Sequence, residues 1–356
     1  MRAVRARRLV AVVSLAGAAV MVAGVGPGAS ASQHAKRSTD KVLAFRANGT
    51  PILTGMTIRM GNAAGSAHAA DTNVHDLVGF LTKWGANASQ TNASQNETEL
   101  GVAAGSLDAT AGPFNVEADA GLTAFGPNQA RLDYVLLAKD AIKSISSLKG
   151  RTVAICCQSS PDYVLLLAAL RQGSLTMSDI KLSETGASSS SLNELIAGQA
   201  DAAFVHSDGP ATAGPNYHVI ANAAALEPGY ADSFMAATPG WLKAHPAVAE
   251  AIDLAWLASA KLFNTKESTW VSNAYAYTAH ADPLSLYKQT WQQLKLIDGW
   301  PTKLGTFTTK VVQLNLGLAK AQGAIQGQGN RPLSQLANVA PWQAAVAQFL
   351  KHEKAY

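Results

Sequence analysis

The chain has 356 residues, 48% of them hydrophobic and 15% charged, which is typical of a globular protein and not of a disordered one. The formal net charge of +4 is accounted for by four arginines in the first 31 residues, a segment without acidic residues. The rest of the chain is close to neutral, which excludes nucleic-acid binding driven by a net positive field.

The first 31 residues have the pattern of a secretory signal peptide. A start with four arginines is followed by a short apolar stretch from Leu9 to Val25, and Ala29-Ser30-Ala31 matches the small-x-small cleavage pattern. The stretch is short for a membrane-spanning helix, which needs about 20 residues. We therefore predict an exported protein, periplasmic or extracellular, that begins near Ser32, with an uncleaved N-terminal anchor as the alternative. No cysteine lies at the cleavage point to carry a lipid.

The first half of the remaining chain shows strand, loop and helix patterns in sequence. The segment 57–65, TIRMGNAAG, is typical of a short strand that runs into a loop of small residues. In 73–85, the i, i+3, i+4, i+7 spacing of apolar residues predicts a helix that ends at Gly85. The segment 99–113 then ends a helix, turns at Gly105 and starts a strand at Asp108.

The same pattern returns about 93 residues later, in 194–210, where Gly198-x-x-Asp201-Ala202 precedes an apolar strand. The segment 151–173, RTVAICCQSSPDYVLLLAALRQG, again predicts strand, loop and helix. Such repetition indicates two related α/β halves, and open α/β sheets bind ligands at the carboxyl ends of their strands.

Two more strands connect the halves. We place the passages between lobes in a long alternating strand at 132–139 and in a strand at 233–237. A helix begins at Pro246, and 288–300 and 309–323 predict amphipathic helices that pack back onto the first lobe. The predicted organisation is a signal peptide (1–31), a polar linker (32–55), the first part of lobe 1 (56–135), lobe 2 (136–232), and a return to lobe 1 with C-terminal helices (233–356).

Together these segments resemble the substrate-binding proteins of ABC importers for nitrate, sulfonates, taurine and thiamine-pyrimidine precursors. The resemblance depends on LKGRTVAI at 148–155, the helix after it, the Gly198 motif and GWLKAHPAVAEAI at 240–252. It covers roughly residues 57–350. It implies an α/β type II periplasmic binding protein fold, with two lobes, two hinge-crossing strands and a ligand cleft between the lobes. It also implies a monomer that captures a small-molecule solute and delivers it to a membrane permease, without catalysis.

The second lobe supplies most of the candidate ligand contacts. Ser160 as N-cap with Pro161 at the first helical position predicts free backbone N–H groups that can bind an anion. In the resembled family the corresponding loop touches ligand, which implies contacts from Gln158, Ser159 and Ser160. The side chain of Tyr163 points either to ligand or to the sheet.

Three contiguous residues, His206, Ser207 and Asp208, are predicted to face the cleft from the end of a strand. Their adjacency excludes the geometry of a Ser-His-Asp triad. In the first lobe, one loop offers Ser66, His68 and Asn73 as ligand contacts, and the alternative is a solvated loop without a binding role. Pro113-Phe114 also lies at the cleft, and the alternative for Phe114 is an ordinary core residue.

The adjacent cysteines Cys156 and Cys157 have several interpretations. They are small residues that pack in the ligand loop or contact the ligand, a vicinal disulfide, or a nucleophile paired with a histidine in or near a cleft loop, which is His68, His75 or His206. Adjacent cysteines are poor chelators of one metal ion. We predict no catalytic residue, metal or cofactor. Two alternatives to a solute-binding function are an exported sensor domain and a secreted enzyme of the same fold. The enzyme would use this loop together with a cleft histidine.

The predicted cleft loops contain almost no Arg or Lys. A small strong anion would therefore depend on helix ends and hydroxyl groups alone. This favours a neutral or aromatic heterocycle over nitrate or a sulfonate as the solute.

Overall fold

The computed structural model describes residues 42–63, 73–158, 160–280 and 283–356. Within these ranges the chain forms two five-stranded sheets with helices between the strands. The strands are β1 (Thr57–Ala63), β2 (Asn87–Ala93), β3 (Ala109–Gly112), β4 (Thr123–Gln129), β5 (Tyr134–Lys139), β6 (Thr152–Ile155), β7 (Lys181–Glu184), β8 (Ala202–His206), β9 (Tyr217–Asn222) and β10 (Ser233–Ala237).

Helices follow most strands of both sheets and form the C-terminal part of the chain. They are α1 (Asn73–Lys83), α2 (Gln95–Ala103), α3 (Phe114–Asp119), α4 (Pro161–Gln172), α5 (Ser188–Ile196), α6 (Gly209–Ala213), α7 (Ala223–Leu226), α8 (Pro239–Ala244), α9 (Pro246–Thr265), α10 (Glu267–Tyr277), α11 (Leu284–Leu296), α12 (Thr309–Ala321), α13 (Leu333–Leu336) and α14 (Ala340–Lys351). In the described ranges no helix combines the length and the apolar character needed to cross a membrane.

The first sheet has the strand order β2-β1-β3-β10-β4. β1 pairs in parallel with β2 and β3, so the carboxyl ends of these three strands lie at one edge. β10 runs antiparallel to both β3 and β4. Buried side chains such as Ile58, Phe234 and Trp256 form one core between this sheet and its helices.

The second sheet has the order β7-β6-β8-β5-β9 and repeats the plan of the first. β6 pairs in parallel with β7 and β8, and β5 runs antiparallel to β8 and β9. Two apolar cores pack against this sheet, and the larger of them contains Leu136, Leu165 and Phe204. The prediction of a two-lobe α/β fold is therefore confirmed.

Helix α9 is more deeply buried than an amphipathic helix. The four apolar residues expected on one face, Val248, Ile252, Trp256 and Phe263, are all buried. Small residues on the other faces are buried as well, because α9 packs against α1 and also against α14. Since α14 comes from the end of the chain, this second covering depends on tertiary contacts that periodicity does not show.

The chain passes between the sheets from β4 to β5 and from β9 to β10, through residues 130–133 and 223–232. The sequence predicts these passages within the strands at 132–139 and 233–237. In the structure β5 begins only at Tyr134 and lies wholly in the second sheet, and β10 lies wholly in the first. The Leu132 N–H bonds to the Tyr230 carbonyl oxygen at 3.3 Å, so the two passages are joined to each other.

The described part of the segment interpreted as a polar linker packs onto the first lobe. Leu43 and Leu53 are buried in its core. The Gly49 carbonyl oxygen accepts hydrogen bonds from Tyr356 Oη at 2.6 Å and from Gln348 Nε2 at 3.0 Å. Residues 42–55 are therefore attached to the C-terminal end of the chain and are not a free linker.

Candidate functional site

Loops at the carboxyl ends of the central strands hold most of the predicted site residues. In the second lobe β6 ends at Ile155 and β8 at His206, and in the first lobe β3 ends at Gly112. Open α/β sheets bind ligands at such ends. Among the contacts that join the lobes near these loops, α11 packs on α6, and Gln322 Nε2 donates to the Ser160 carbonyl oxygen at 2.8 Å.

His206, at the end of β8, is the centre of a polar cluster in the second lobe. The antiparallel register of β5 and β8 places His206 opposite Tyr134, and their ring centroids are 4.3 Å apart. Asp133 immediately precedes β5, so its carboxylate lies beside the imidazole. Asp133 Oδ1 is 3.0 Å from His206 Nδ1, and Ser207 Oγ donates to Asp133 Oδ2 at 3.3 Å.

The surroundings of His206 stabilise its charged form. Burial alone lowers its pKa, but the charge and hydrogen bond of Asp133, with the charges of Asp208 and Asp232, outweigh burial and raise the pKa to about 9. The side chain is still 29% exposed, whereas that of Asp133 is 1% exposed. The cluster therefore presents an imidazolium at neutral pH, supported by a buried carboxylate.

This arrangement differs from that of a hydrolytic triad. In such a triad the histidine lies between the serine and the carboxylate and takes the proton of the serine. Here His206 and Ser207 both bond to the same carboxylate, that of Asp133. Ser207 is buried, and Asp208 caps the short helix α6 with backbone bonds from Ala211 and Thr212. With both bonded to this carboxylate, His206 is not placed to activate Ser207.

The loop after β6 is fixed by Asp162, in the first turn of α4. Asp162 is fully buried, and its Oδ2 accepts a hydrogen bond from the Cys156 N–H at 2.6 Å. Burial raises the pKa of Asp162 to about 6, against the opposing effects of nearby backbone N–H groups and His206. The acid thus lies beneath the loop and not on the cleft surface.

Cys156 and Cys157 are both thiols that are not joined by a disulfide, each half-buried, with Sγ atoms 3.4 Å apart. Burial, followed by the neighbouring Cys157, raises the pKa of Cys156 to about 12. This is opposite to the lowered pKa of a catalytic cysteine. Within the described ranges, no three or more His, Cys, Asp or Glu side chains form a group that could hold a metal ion.

The other loop candidates of the second lobe have protein partners. Gln158 is exposed, and its Nε2 donates to Glu184 Oε1 at 2.7 Å. Ser160 is the residue before α4, as predicted, but its Oγ donates back to the Cys157 carbonyl oxygen at 3.0 Å. Tyr163 is half-buried against the second-lobe core. Ser159 lies outside the described residues.

In the first lobe, two of the predicted contacts are structural. Asn73 is buried at the start of α1; its Nδ2 donates to the Asn128 carbonyl oxygen at 3.0 Å and its Oδ1 accepts from Trp300 Nε1 at 3.3 Å. Phe114 is buried, and its ring lies edge-on to that of Phe234 with ring centroids 5.8 Å apart. This packing agrees with the alternative that Phe114 is a core residue. Pro113 is half-buried before α3. Ser66 and His68 lie outside the described residues.

A second aromatic group lies at the same edge of the first sheet, and of its residues the sequence indicates only His75, in or near a predicted cleft loop. Tyr277, the last residue of α10, accepts a hydrogen bond from Asn62 Nδ2 at 2.8 Å, and its ring centroid lies 5.8 Å from that of His75. Asn62 is near the end of β1 and His75 is in the first turn of α1. A His in the first turn after a strand-end loop is the signal that indicates His75, whereas Tyr277 lies far along the chain and no local pattern points to it.

The comparisons with known proteins agree with this architecture. Residues 125–263 match the family model described as NMT1/THI5 like. A search of curated proteins found no match. Among solved structures, the periplasmic sulfonate-binding protein SsuA from Methylobacillus flagellatus KT is 18% identical, with a TM-score of 0.65 over 85% of this chain and 97% of that one.

Two further solved structures share the fold. The alkanesulfonate-binding protein SsuA from Xanthomonas axonopodis pv. citri, bound to MOPS, is 16% identical, with a TM-score of 0.56 over 81% of this chain and 99% of that one. A cysteine-to-serine mutant of DSZB in complex with biphenyl-2-sulfinic acid is 12% identical, with a TM-score of 0.54 over 82% and 99%. The chain therefore has the fold of these proteins and matches the NMT1/THI5 like family model over residues 125–263, which confirms the resemblance predicted from the sequence.

Proposed function

We propose that the protein is the extracytoplasmic solute-binding component of an ABC importer. It captures a small organic or oxyanionic solute between its lobes as a monomer and delivers it to a membrane permease. The observation that carries this proposal is the His206 cluster, a partly exposed imidazolium at a strand end beside the passages between the lobes. Solved structures of the same fold that are named sulfonate-binding proteins support it.

The proposed mechanism is lobe closure. A solute that contacts both lobes only in the closed arrangement shifts the equilibrium toward that arrangement by its difference in affinity. The contact of α11 with α6 and the bond from Gln322 to Ser160 join the lobes beside the site. The permease then recognises the closed form.

The charges of the cluster bear on the kind of solute. One imidazolium lies among the carboxylates of Asp133, Asp208 and Asp232, so the cluster offers a hydrogen-bond donor without a net positive charge. This balance favours a neutral heterocycle over a small strong anion. Competition between an aminopyrimidine and taurine tests the preference, and tighter binding of taurine would contradict it.

The test of the function is thermal unfolding with nitrate, taurine, alkanesulfonates, aminopyrimidines, thiamine and riboflavin. A solute at ~100 times its dissociation constant stabilises the protein by about 2.7 kcal/mol, which raises Tm by several degrees. Solution scattering of the same mixture is expected to show compaction. A bound solute without compaction would contradict closure, and the absence of any hit would contradict the proposed range of solutes.

A matched pair of variants tests the site. His206→Gln is expected to weaken solute binding at least tenfold. His218→Gln is the control, because His218 is 32% exposed and its Nδ1 lies 3.2 Å from Asp140 Oδ1, but it pairs with the far end of β5. Equal loss of binding in both variants would show that the effect is not local to the cluster.

The alternative of an enzyme is tested with Cys156→Ser. Turnover of a solute that is lost in this variant while binding is kept would favour catalysis. The raised pKa of Cys156 argues against it, because the thiolate is the nucleophile.

A further inference from the structure

The two cysteines occupy a position that the solute-binding function does not require. Their Sγ atoms are 3.4 Å apart, and a disulfide bond is about 2.05 Å long, so a sulfur displacement of roughly 1.4 Å would join them. Both side chains are half-buried and neither belongs to a described apolar core. A small reagent therefore has access to the pair.

We propose that Cys156 and Cys157 form a reversible thiol–disulfide pair that reshapes the cleft loop of the second lobe. The consequence for solute affinity rests on the function proposed above; the reshaping of the loop does not.

Hydrogen bonds hold the backbone around Cys156 and Cys157, so a disulfide between them cannot form without a movement of the loop. The Cys156 N–H donates to Asp162, the Cys156 carbonyl oxygen accepts from the Gly186 N–H at 2.7 Å, and the Cys157 carbonyl oxygen accepts from Ser160 N–H and Oγ. A disulfide between neighbours closes a small ring that includes their shared peptide bond, so the sulfur movement is transmitted to these bonds. Ser160 also accepts the lobe-to-lobe hydrogen bond, which links the pair to the contact between lobes.

The oxidant is a low-molecular-weight organic disulfide, RSSR. One cysteine thiolate attacks a sulfur of RSSR, which forms a mixed disulfide and releases RS⁻. The second thiol loses its proton, its sulfur attacks the protein sulfur of the mixed disulfide, and a second RS⁻ leaves. The two protons lost by the cysteines end on the two RS⁻ groups, so the dithiol is oxidised and RSSR is reduced to two RSH. Because the pKa of Cys156 is raised to about 12, the reaction is expected to accelerate as pH rises.

The first experiment exposes the full protein to hydroxyethyl disulfide at mildly alkaline pH, followed by acid quench, alkylation, digestion and mass spectrometry. The peptide that contains both cysteines is expected to lose two hydrogens, to resist alkylation and to recover with dithiothreitol. Cys156→Ser and Cys157→Ser each retain one thiol and are expected to carry the mixed disulfide. A wild-type protein that keeps both thiols, or carries mixed disulfides as the single variants do, would overturn the pairing.

The second experiment measures amide hydrogen exchange of residues 156–163 in the reduced and oxidised proteins. Faster exchange is expected after oxidation, with no change in the double variant Cys156→Ser/Cys157→Ser under the same treatment. Identical exchange in both forms would overturn the reshaping, whether or not any solute binds.

Solute affinity is then compared between the two forms, with a change of at least tenfold expected. Equal solute affinity of the reduced and oxidised proteins would overturn the proposal that the disulfide alters solute binding. A protein that binds no solute in either form would count against the proposed function, and the alkylation and exchange results would still decide this inference.

Discussion

Replacing Asp253 by asparagine is expected to stabilise the protein above the ordinary pKa of the carboxyl group. Asp253 lies in the middle of α9, is fully buried, and has no hydrogen-bond partner for either carboxylate oxygen among the residues that the structure describes. The backbone of β4 is in close contact with it, since a Cβ at Gly126 would lie 1.7 Å from Oδ1. Burial, and then the charge of Glu250, raise the pKa of Asp253 well above 3.8.

The size of the expected gain in unfolding free energy follows from the proton that the Asp253 carboxyl group keeps in the folded protein. Each pH unit above 3.8 over which the folded carboxyl stays protonated, while the unfolded one is ionised, costs about 1.4 kcal/mol of folding free energy. At pH 6, roughly two units higher, the cost is up to about 3 kcal/mol. Asparagine has no such cost because its amide does not titrate. Protonation of Asp253 stabilises the folded wild type fully at a pH below the pKa of this carboxyl group in the unfolded protein. The stabilisation is lost as pH rises through the pKa of the same group in the folded protein.

Urea unfolding at pH 4, 5 and 6 measures this difference. The two proteins are expected to be nearly equal in stability near pH 4, with Asp253→Asn more stable by ~2 to 3 kcal/mol near pH 6. Glu267→Gln, in the first turn of the next helix and outside the core, is the control. A difference that stays constant from pH 4 to 6, or an Asp253→Asn protein less stable than wild type at pH 6, would refute the reasoning.

Three further changes test other parts of the structure. Glu117→Gln is expected to give a stability gain that grows with pH in urea unfolding, because burial and then a neighbouring glutamate raise the Glu117 pKa; a constant difference would contradict this. Asp133→Asn is expected to lower the His206 pKa from about 9 and to cost ~1 to 3 kcal/mol of stability; an unchanged imidazole titration by NMR would be the contrary result. Gln322→Ala is expected to increase the radius of gyration without solute, because the lobe-to-lobe hydrogen bond is lost, whereas Gln313→Ala, exposed on the same helix, is expected to leave it unchanged.

Much of the fold could be predicted because its signals are local. Apolar spacing with Gly and Pro at the ends predicted α1, α4 and α9, and short apolar runs predicted β6 and β8. The burial of α9 on several faces could not be predicted, because the covering helix α14 lies about 80 residues later in the chain. The attachment of residues 42–55 to Tyr356 depends on equally distant contacts.

The candidate site could be predicted as loops but not as contacts. His206 was expected at the cleft, but the carboxylate beside it comes from Asp133, which pairing of β5 with β8 brings close from 73 positions away. Asn73 was expected to contact ligand because it follows a strand-end loop. Its amide is instead taken by Asn128 and Trp300, partners that no local pattern reveals.

The His206 cluster and the passages between lobes form one structural unit. Asp133 is the last residue of the first passage and Asp232 the last of the second, and the charges of both act on His206 against the effect of burial. In the proposed mechanism, a solute that contacts His206 interacts with the residues about which the lobes move. The bond from Gln322 to Ser160 is one neutral hydrogen bond, worth about 1 kcal/mol, and with the contact of α11 with α6 it favours the joined lobes without fixing them in that arrangement. Full closure therefore also requires the solute, whose contacts add to the difference in free energy between the two arrangements.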